Sequence, residues 1–200
     1  MMAVDILFAK SLVEASLYFL VTPCPLCKSD RLDPQDFTTG NDPGTVRIIG
    51  VCRNCGSSEA YHFSIANVAP TKDRHDPISG IHAINLGTAH SELIDIVQWV
   101  TLHEILLEKV KSEPVASEAR WLKVRAGQCL DEALKFFGNH ADAPPKDAAF
   151  VPSSQKKLSD HPDRYTRTRI TNLRNQLPTE KAFEEAQLKD DSEKPWWKFW

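Results

Sequence analysis

Cys24-Pro25-Leu26-Cys27 and Cys52-Arg53-Asn54-Cys55 are separated by 24 residues, the spacing of two knuckles that together supply four thiolates to one metal ion. Thiolates are soft donors, and two C-x2-C turns bring four sulfurs to one point at little cost in chain entropy. A site closed in this way leaves no coordination position for a substrate. It therefore predicts how the N-terminal region folds and names no reaction.

The flanks agree with a metal-stabilised β module. Thr45 to Val51 is β-branched and runs into the second pair, and Ala60 to Ile65 leaves it as another strand. Gly56, directly after Cys55, suits the positive φ that lets backbone amides point at sulfur. Lys28 holds the matching place after Cys27 and is the weaker fit. Val4, Leu7, Phe8, Leu12 and Ala15 recur at helical spacing, which predicts a helix over 3–15. Leu17 to Val21 reads as a strand delivering the chain to the first knuckle, and Ser29 to Gly44 reads as a loop because it is rich in Asp, Pro, Thr and Gly.

The chain has five cysteines in 200 residues. An odd number, four of them in C-x2-C pairs, points to metal ligation in a reducing compartment, so a cytoplasmic location is expected. Asp5, Lys10 and Glu14 interrupt the apolar N-terminus, which has neither a basic start nor a small-residue cleavage site; it reads as neither signal peptide nor membrane span. Net charge is −3, so any hold on nucleic acid must come from a local basic patch.

The second half reads as helical. Residues 69–87 carry Pro70, Pro77, Gly80 and Gly87 and read as a connector, with Ile81 to Leu86 as one more strand. A helix from Thr88, as N-cap, to Lys111 and a second from Pro114 to a stop at Gly138-Asn139 predict a helical hairpin over 88–140. Cys129 falls on the apolar stripe of the second helix with Leu122, Ala126 and Phe137, which predicts a buried, inert thiol. Trp99 and Trp121 are expected to lie between the helices. Ala141 to Ser154 reads as linker, Asp160 to Leu177 as a third helix, and Glu180 to Leu188 as a fourth.

That third helix carries the one basic patch, Arg164, Arg167, Arg169 and Arg174, with Tyr165 among them. Arginines could grip phosphates there, although a solvated face paired with acidic neighbours is the simpler reading. His90-Ser91-Glu92 and Pro23-Cys24-Pro25-Leu26-Cys27 contain the H-x-E and P-C-x-x-C elements of zinc-dependent nucleobase deaminases, but in the reverse order. His75, His82, His90 and His103 form no catalytic set, and His103-Glu104 lacks the second histidine of a zinc helix.

The chain ends on Lys-Pro-Trp-Trp-Lys-Phe-Trp, three indoles and a phenyl in seven residues after Asp190, Asp191 and Glu193. Trp196, Trp197, Phe199 and Trp200 are costly to leave in water. They predict an anchor for a protein partner, with a membrane surface as a second docking class and a fold-back onto the hairpin as the internal alternative.

Through Cys24, Cys27, Cys52 and Cys55 the N-terminal quarter resembles the zinc-ribbon group, and the helical part resembles uncharacterised bacterial proteins. The resemblance implies one structural Zn2+, with rubredoxin-like iron as the ion that the same ligands would also accept. The expected class is α+β: a small four-cysteine ribbon of antiparallel strands, a helical hairpin and further C-terminal helices. The expected divisions are 1–68, 69–87, 88–140, 141–178 and 179–200. The expected role is a non-catalytic interaction platform with the tail as tether, and nucleic-acid binding through the third helix is the alternative.

Overall fold

A computed structural model describes residues 6–29, 32–40, 42, 44–66, 84–85, 87–138 and 141–185. The N-terminal part is a four-stranded sheet in the order β1-β4-β3-β2. Its strands are β1 (Ile6–Ala9), β2 (Leu32–Thr39), β3 (Thr45–Cys52) and β4 (Ser58–Ile65). β2, β3 and β4 pair antiparallel, and β1 adds alongside β4 in parallel.

β3 and β4 lie where the β-branched runs place them. Other expectations for the N-terminal part are corrected. The helix expected over 3–15 is strand β1 followed by α1 (Leu12–Val21), so the stretch 17–21 is helical and not extended. Ser11 caps α1 by accepting the amide of Glu14 at 3.1 Å, and this S-x-x-E start is readable in the sequence. The apolar run after it is nearly continuous, and such a run has no period that separates helix from strand. Packing decides: Phe19 meets Tyr61 edge-on at 4.9 Å between ring centroids and Phe63 at 6.0 Å. Gly50 lies beneath, where a Cβ would come within 2.7 Å of the Phe19 ring.

The stretch read as a loop is β2. Its Pro34 is tolerated because β2 is an edge strand whose outer amides need no partner. A bulge between Gln35 and Thr38, with Asp36 at φ 48°, absorbs the turn-forming composition.

The helical part consists of α2 (Ile96–Ser112) and α3 (Ala116–Leu134), joined by a short turn into a hairpin. α2 starts later than expected. Its N-cap is Asp95, not Thr88, and a reciprocal capping box joins Asp95 to Gln98, with bonds of 2.9 and 3.0 Å. Ser91 arrests the preceding segment by accepting the amides of Leu93 and Ile94. α3 ends at Leu134, just before the expected stop. Residues 152–154, read as linker, begin α4 (Pro152–Asp160), and the expected third helix is divided into a 3₁₀ turn (Pro162–Tyr165) and α5 (Arg167–Arg174). Residues 180–185 are helical. Of the strand expected over 81–86 only Ile84 and Asn85 are described, and neither lies in a strand.

Ribbon and hairpin share one apolar interior, in which Phe19, Ile48 and Phe63 join Trp99, Leu102 and Leu130. Cys129 is fully buried, and burial pushes its thiol far up. Trp99 is also fully buried, whereas Trp121 forms a small separate cluster with Val124 and Phe183.

Polar groups tie these layers together. Ser11 donates to the Ile84 carbonyl at 2.6 Å. Lys135 reaches the carbonyls of Asn85 and Gly87 and the Glu132 carboxylate at 2.7 Å. Burial pushes the Glu132 carboxyl up to about 7, against the hydrogen bonds from Lys135 and Asn85 and with repulsion from Glu14 added. The Glu14 carboxyl is raised by burial too.

Asp95→Ala should lower stability by about 1–2 kcal/mol, and Asp95→Asn, which keeps the cap acceptor, by less; urea midpoints measure both. The raised Glu132 pKa gives a stabilising contribution that is complete below its ordinary value of 4.5 and is lost as pH rises through about 7. Between pH 5 and 8 the wild type should therefore lose stability relative to Glu132→Gln, and parallel pH profiles for the two would disprove that assignment.

Candidate metal centre

The first knuckle joins α1 to β2, and the second is the turn between β3 and β4. Leu32 at the start of β2 lies opposite Cys52 at the end of β3. That register sets the two knuckles side by side at one end of the sheet.

Each knuckle closes on itself in the same way. The Cys24 amide donates to the Ser29 carbonyl at 2.8 Å and the Lys28 amide to the Cys24 carbonyl at 2.9 Å. The Cys52 amide donates to Ser57 at 2.8 Å and the Gly56 amide to Cys52 at 2.9 Å. The residue after the second cysteine is left-handed in both, Lys28 at φ 60° and Gly56 at φ 71°. Lys28 thus does what Gly56 does, and its Nζ returns to the Pro25 carbonyl at 2.8 Å. The shared pattern is C-x2-C-x-S, a longer repeat than the cysteine pairs alone.

The four sulfurs lie within 4.8 Å of one another. Across the knuckles, Cys24 and Cys55 are 3.8 Å apart and Cys27 and Cys52 are 3.5 Å apart. A tetrahedron with metal–sulfur bonds of ~2.3 Å has edges of about 3.8 Å, so the spacing fits a four-thiolate ion. Cys24 and Cys52 are buried, and Cys27 and Cys55 are exposed.

The surroundings shift the thiols in opposite directions. The Ser57 hydroxyl, with the Cys27 and Leu26 amides, pulls the Cys24 thiol down to about 6. Ser57 pulls Cys55 down through both hydroxyl and amide. At Cys52 the Cys55 and Asn54 amides act in the same direction, but burial and the hydrogen bonds with Cys27 and Cys55 outweigh them and push the thiol up to about 11. Four thiolates this close repel one another unless a positive ion sits among them.

Two supporting residues were not singled out from the sequence. Ser57 Oγ lies 3.4 Å from Cys24 Sγ and 3.1 Å from Cys55 Sγ, and Asn54 Nδ2 donates to Cys27 Sγ at 3.6 Å. The repeated serine two places after each pair was the available signal for Ser57. Asn54 left none.

The other expected site residues lie elsewhere. Arg164 pairs with Glu104, and Arg174 pairs with Asp131 at 2.8 Å. Arg167 donates to the carbonyls of Phe137 and Gly138 and lies over the Phe137 ring, while Arg169 is exposed. His90 stacks 4.6 Å from the Phe136 ring and Glu92 pairs with Lys10, so neither joins the cysteines. Among the described residues no other group of three or more His, Cys, Asp or Glu side chains comes together in this way. His75, His82, Trp196, Trp197, Phe199 and Trp200 lie outside the described residues. No described helix is long and apolar enough to cross a membrane.

Compared with protein families, curated proteins and solved structures, the chain matches none. What can be said of the site comes from its geometry alone: four cysteines placed to hold a metal ion.

Gly56 offers a clean test of the knuckle. Beyond its two chain neighbours nothing lies within 4 Å of where its Cβ would be, so Gly56→Ala adds only left-handed backbone strain, about 1 kcal/mol. A denaturation midpoint unchanged by Gly56→Ala would show that the turn tolerates a side chain there freely.

Proposed function

We propose that the protein is a non-catalytic zinc protein in which a structural four-cysteine ribbon and the helical hairpin form an interaction platform. The observation that carries this reading is the closure of the cysteine cluster: four sulfurs at tetrahedral spacing, two of them buried, leave no ligand position for a substrate. Zinc is preferred because all-thiolate tetrahedral sites favour it among redox-inert ions. When bound, the ion would supply charge neutralisation and a cross-link between the two knuckles. Cys24, Cys27, Cys52 and Cys55 would hold it, with Ser57 and Asn54 steadying the sulfurs.

The platform reading draws further support from the tail. Trp196, Trp197, Phe199 and Trp200 would anchor a protein partner, since a few large buried rings supply most of an interface's affinity. The nucleic-acid alternative is weakened because Arg164, Arg167 and Arg174 are engaged within the protein.

Elemental analysis should find one zinc per chain, and Cys52→Ser should lose it and unfold the ribbon, because structural zinc contributes ~10–16 kcal/mol in isolated fingers. Folded protein free of metal, with all four thiols reduced, refutes the zinc assignment. For the tail, the paired change Trp197→Ala and Trp200→Ala should abolish partner capture while leaving zinc content and melting temperature as they were. A large drop in melting temperature would indicate instead that these rings pack against the protein itself.

A further inference from the structure

All four sulfurs lie within 4.8 Å of one another, and two cross-knuckle approaches between them take in every cysteine once. Cys24 lies 3.8 Å from Cys55 and Cys27 lies 3.5 Å from Cys52. Each pair joins one knuckle to the other, and each contains one exposed and one buried cysteine. The exposed members, Cys27 and Cys55, have around them an amide from Asn54 and a hydroxyl from Ser57. Their exposure leaves both sulfurs open to a small oxidant. The fifth thiol, Cys129, is fully buried in the helical core, so the protein carries its own unreactive comparison.

We infer that the cluster is a redox-releasable metal site, in which a hydroperoxide converts the four ligands into two disulfides, Cys24–Cys55 and Cys27–Cys52, and so expels the ion. The inference rests on the zinc reading above. In each pair the exposed sulfur attacks one peroxide oxygen and the O–O bond breaks. The products are a sulfenic acid and, for hydrogen peroxide, hydroxide, which takes a proton from solvent and leaves as water. The buried partner's thiolate then attacks that sulfur, the S–O bond breaks, and a second hydroxide takes a solvent proton and leaves as water. Two thiolates are oxidised by two electrons while one peroxide is reduced, so two peroxides and four solvent protons account for all four cysteines. Zinc departs as the unchanged dication because no thiolate remains to bind it.

Closing each pair to a bond of ~2.05 Å asks the sulfurs to approach by less than about 2 Å. Both knuckles are exposed turns at one end of the sheet, and the strands beneath can stay paired while they adjust. The oxidised form would therefore exchange one ionic cross-link for two covalent ones between the same turns.

The test uses the full chain, loaded with zinc and freed of reductant under nitrogen, with bound metal counted first by elemental analysis. Hydrogen peroxide is then added, released zinc is followed with a chromogenic chelator, and disulfides are mapped by peptide mass spectrometry. The expected result is loss of the one ion, the two cross-knuckle disulfides, an unmodified Cys129, and recovery of binding after dithiothreitol and fresh zinc. Cys129→Ser should behave identically. Retention of zinc through a large peroxide excess overturns the inference and leaves the zinc reading standing, as does release accompanied by Cys24–Cys27 and Cys52–Cys55 bonds or by sulfinic acids. A chain that takes up no zinc at the outset overturns both.

Discussion

The pairing of β2 with β3 is the constraint on which the N-terminal half depends. Leu32 stands opposite Cys52, so the end of one knuckle and the start of the other occupy neighbouring rungs. A slip of one residue would turn every side chain of β2 to the other face and carry Cys27 away from Cys52. The bulge between Gln35 and Thr38 confines the irregular part of β2 to its far end, and the rungs nearest the cysteines keep an unbroken ladder. The register of these rungs sets the sulfurs at ligand spacing.

The parts of this fold that were legible in the sequence are those with a short-range cause. The cysteine spacing, the β-branched run from Thr45 and the residues of α3 on its inner face each specify their structure locally, and the α+β class follows from them. The misread segments owe their form to partners distant in sequence. Ile6 to Ala9 becomes a strand because β4 offers a free edge, and Leu12 to Val21 becomes a helix because its aromatic side chains fit over Tyr61 and Phe63. Pro34 and Asp36 suggest a loop to any local reading, and an edge strand can hold both. The start of α2 was misplaced because Asp95 lies inside an apolar stretch, where a carboxylate is easily mistaken for an interruption.

The cysteine cluster was legible in its four members and less so in its support. Lys28 is an unexpected residue for a left-handed turn, and only its place matching Gly56 pointed to its φ of 60°. The arginines of the C-terminal half show the opposite difficulty. Their sequence clustering gives an impression of concentrated positive charge, but their side chains diverge. Arg164 reaches α2, Arg174 reaches α3, and Arg167 reaches the carbonyls at the end of the hairpin. They secure the terminal helices to the hairpin, which a linear pattern of charge cannot reveal.

α1 stands between the two halves of the molecule. Its aromatic residues cover the sheet, its last carbonyl accepts Gln98 Nε2 from α2 at 3.3 Å, and its first turn holds the segment that leads into the hairpin through Ser11. The first knuckle is the direct continuation of this helix. A disturbance at Cys24 thus reaches α2 through Val21, three residues away, whose carbonyl holds Gln98. The chain should melt in a single transition, and the ribbon, unlike a finger strung on a linker, cannot lose its shape in private.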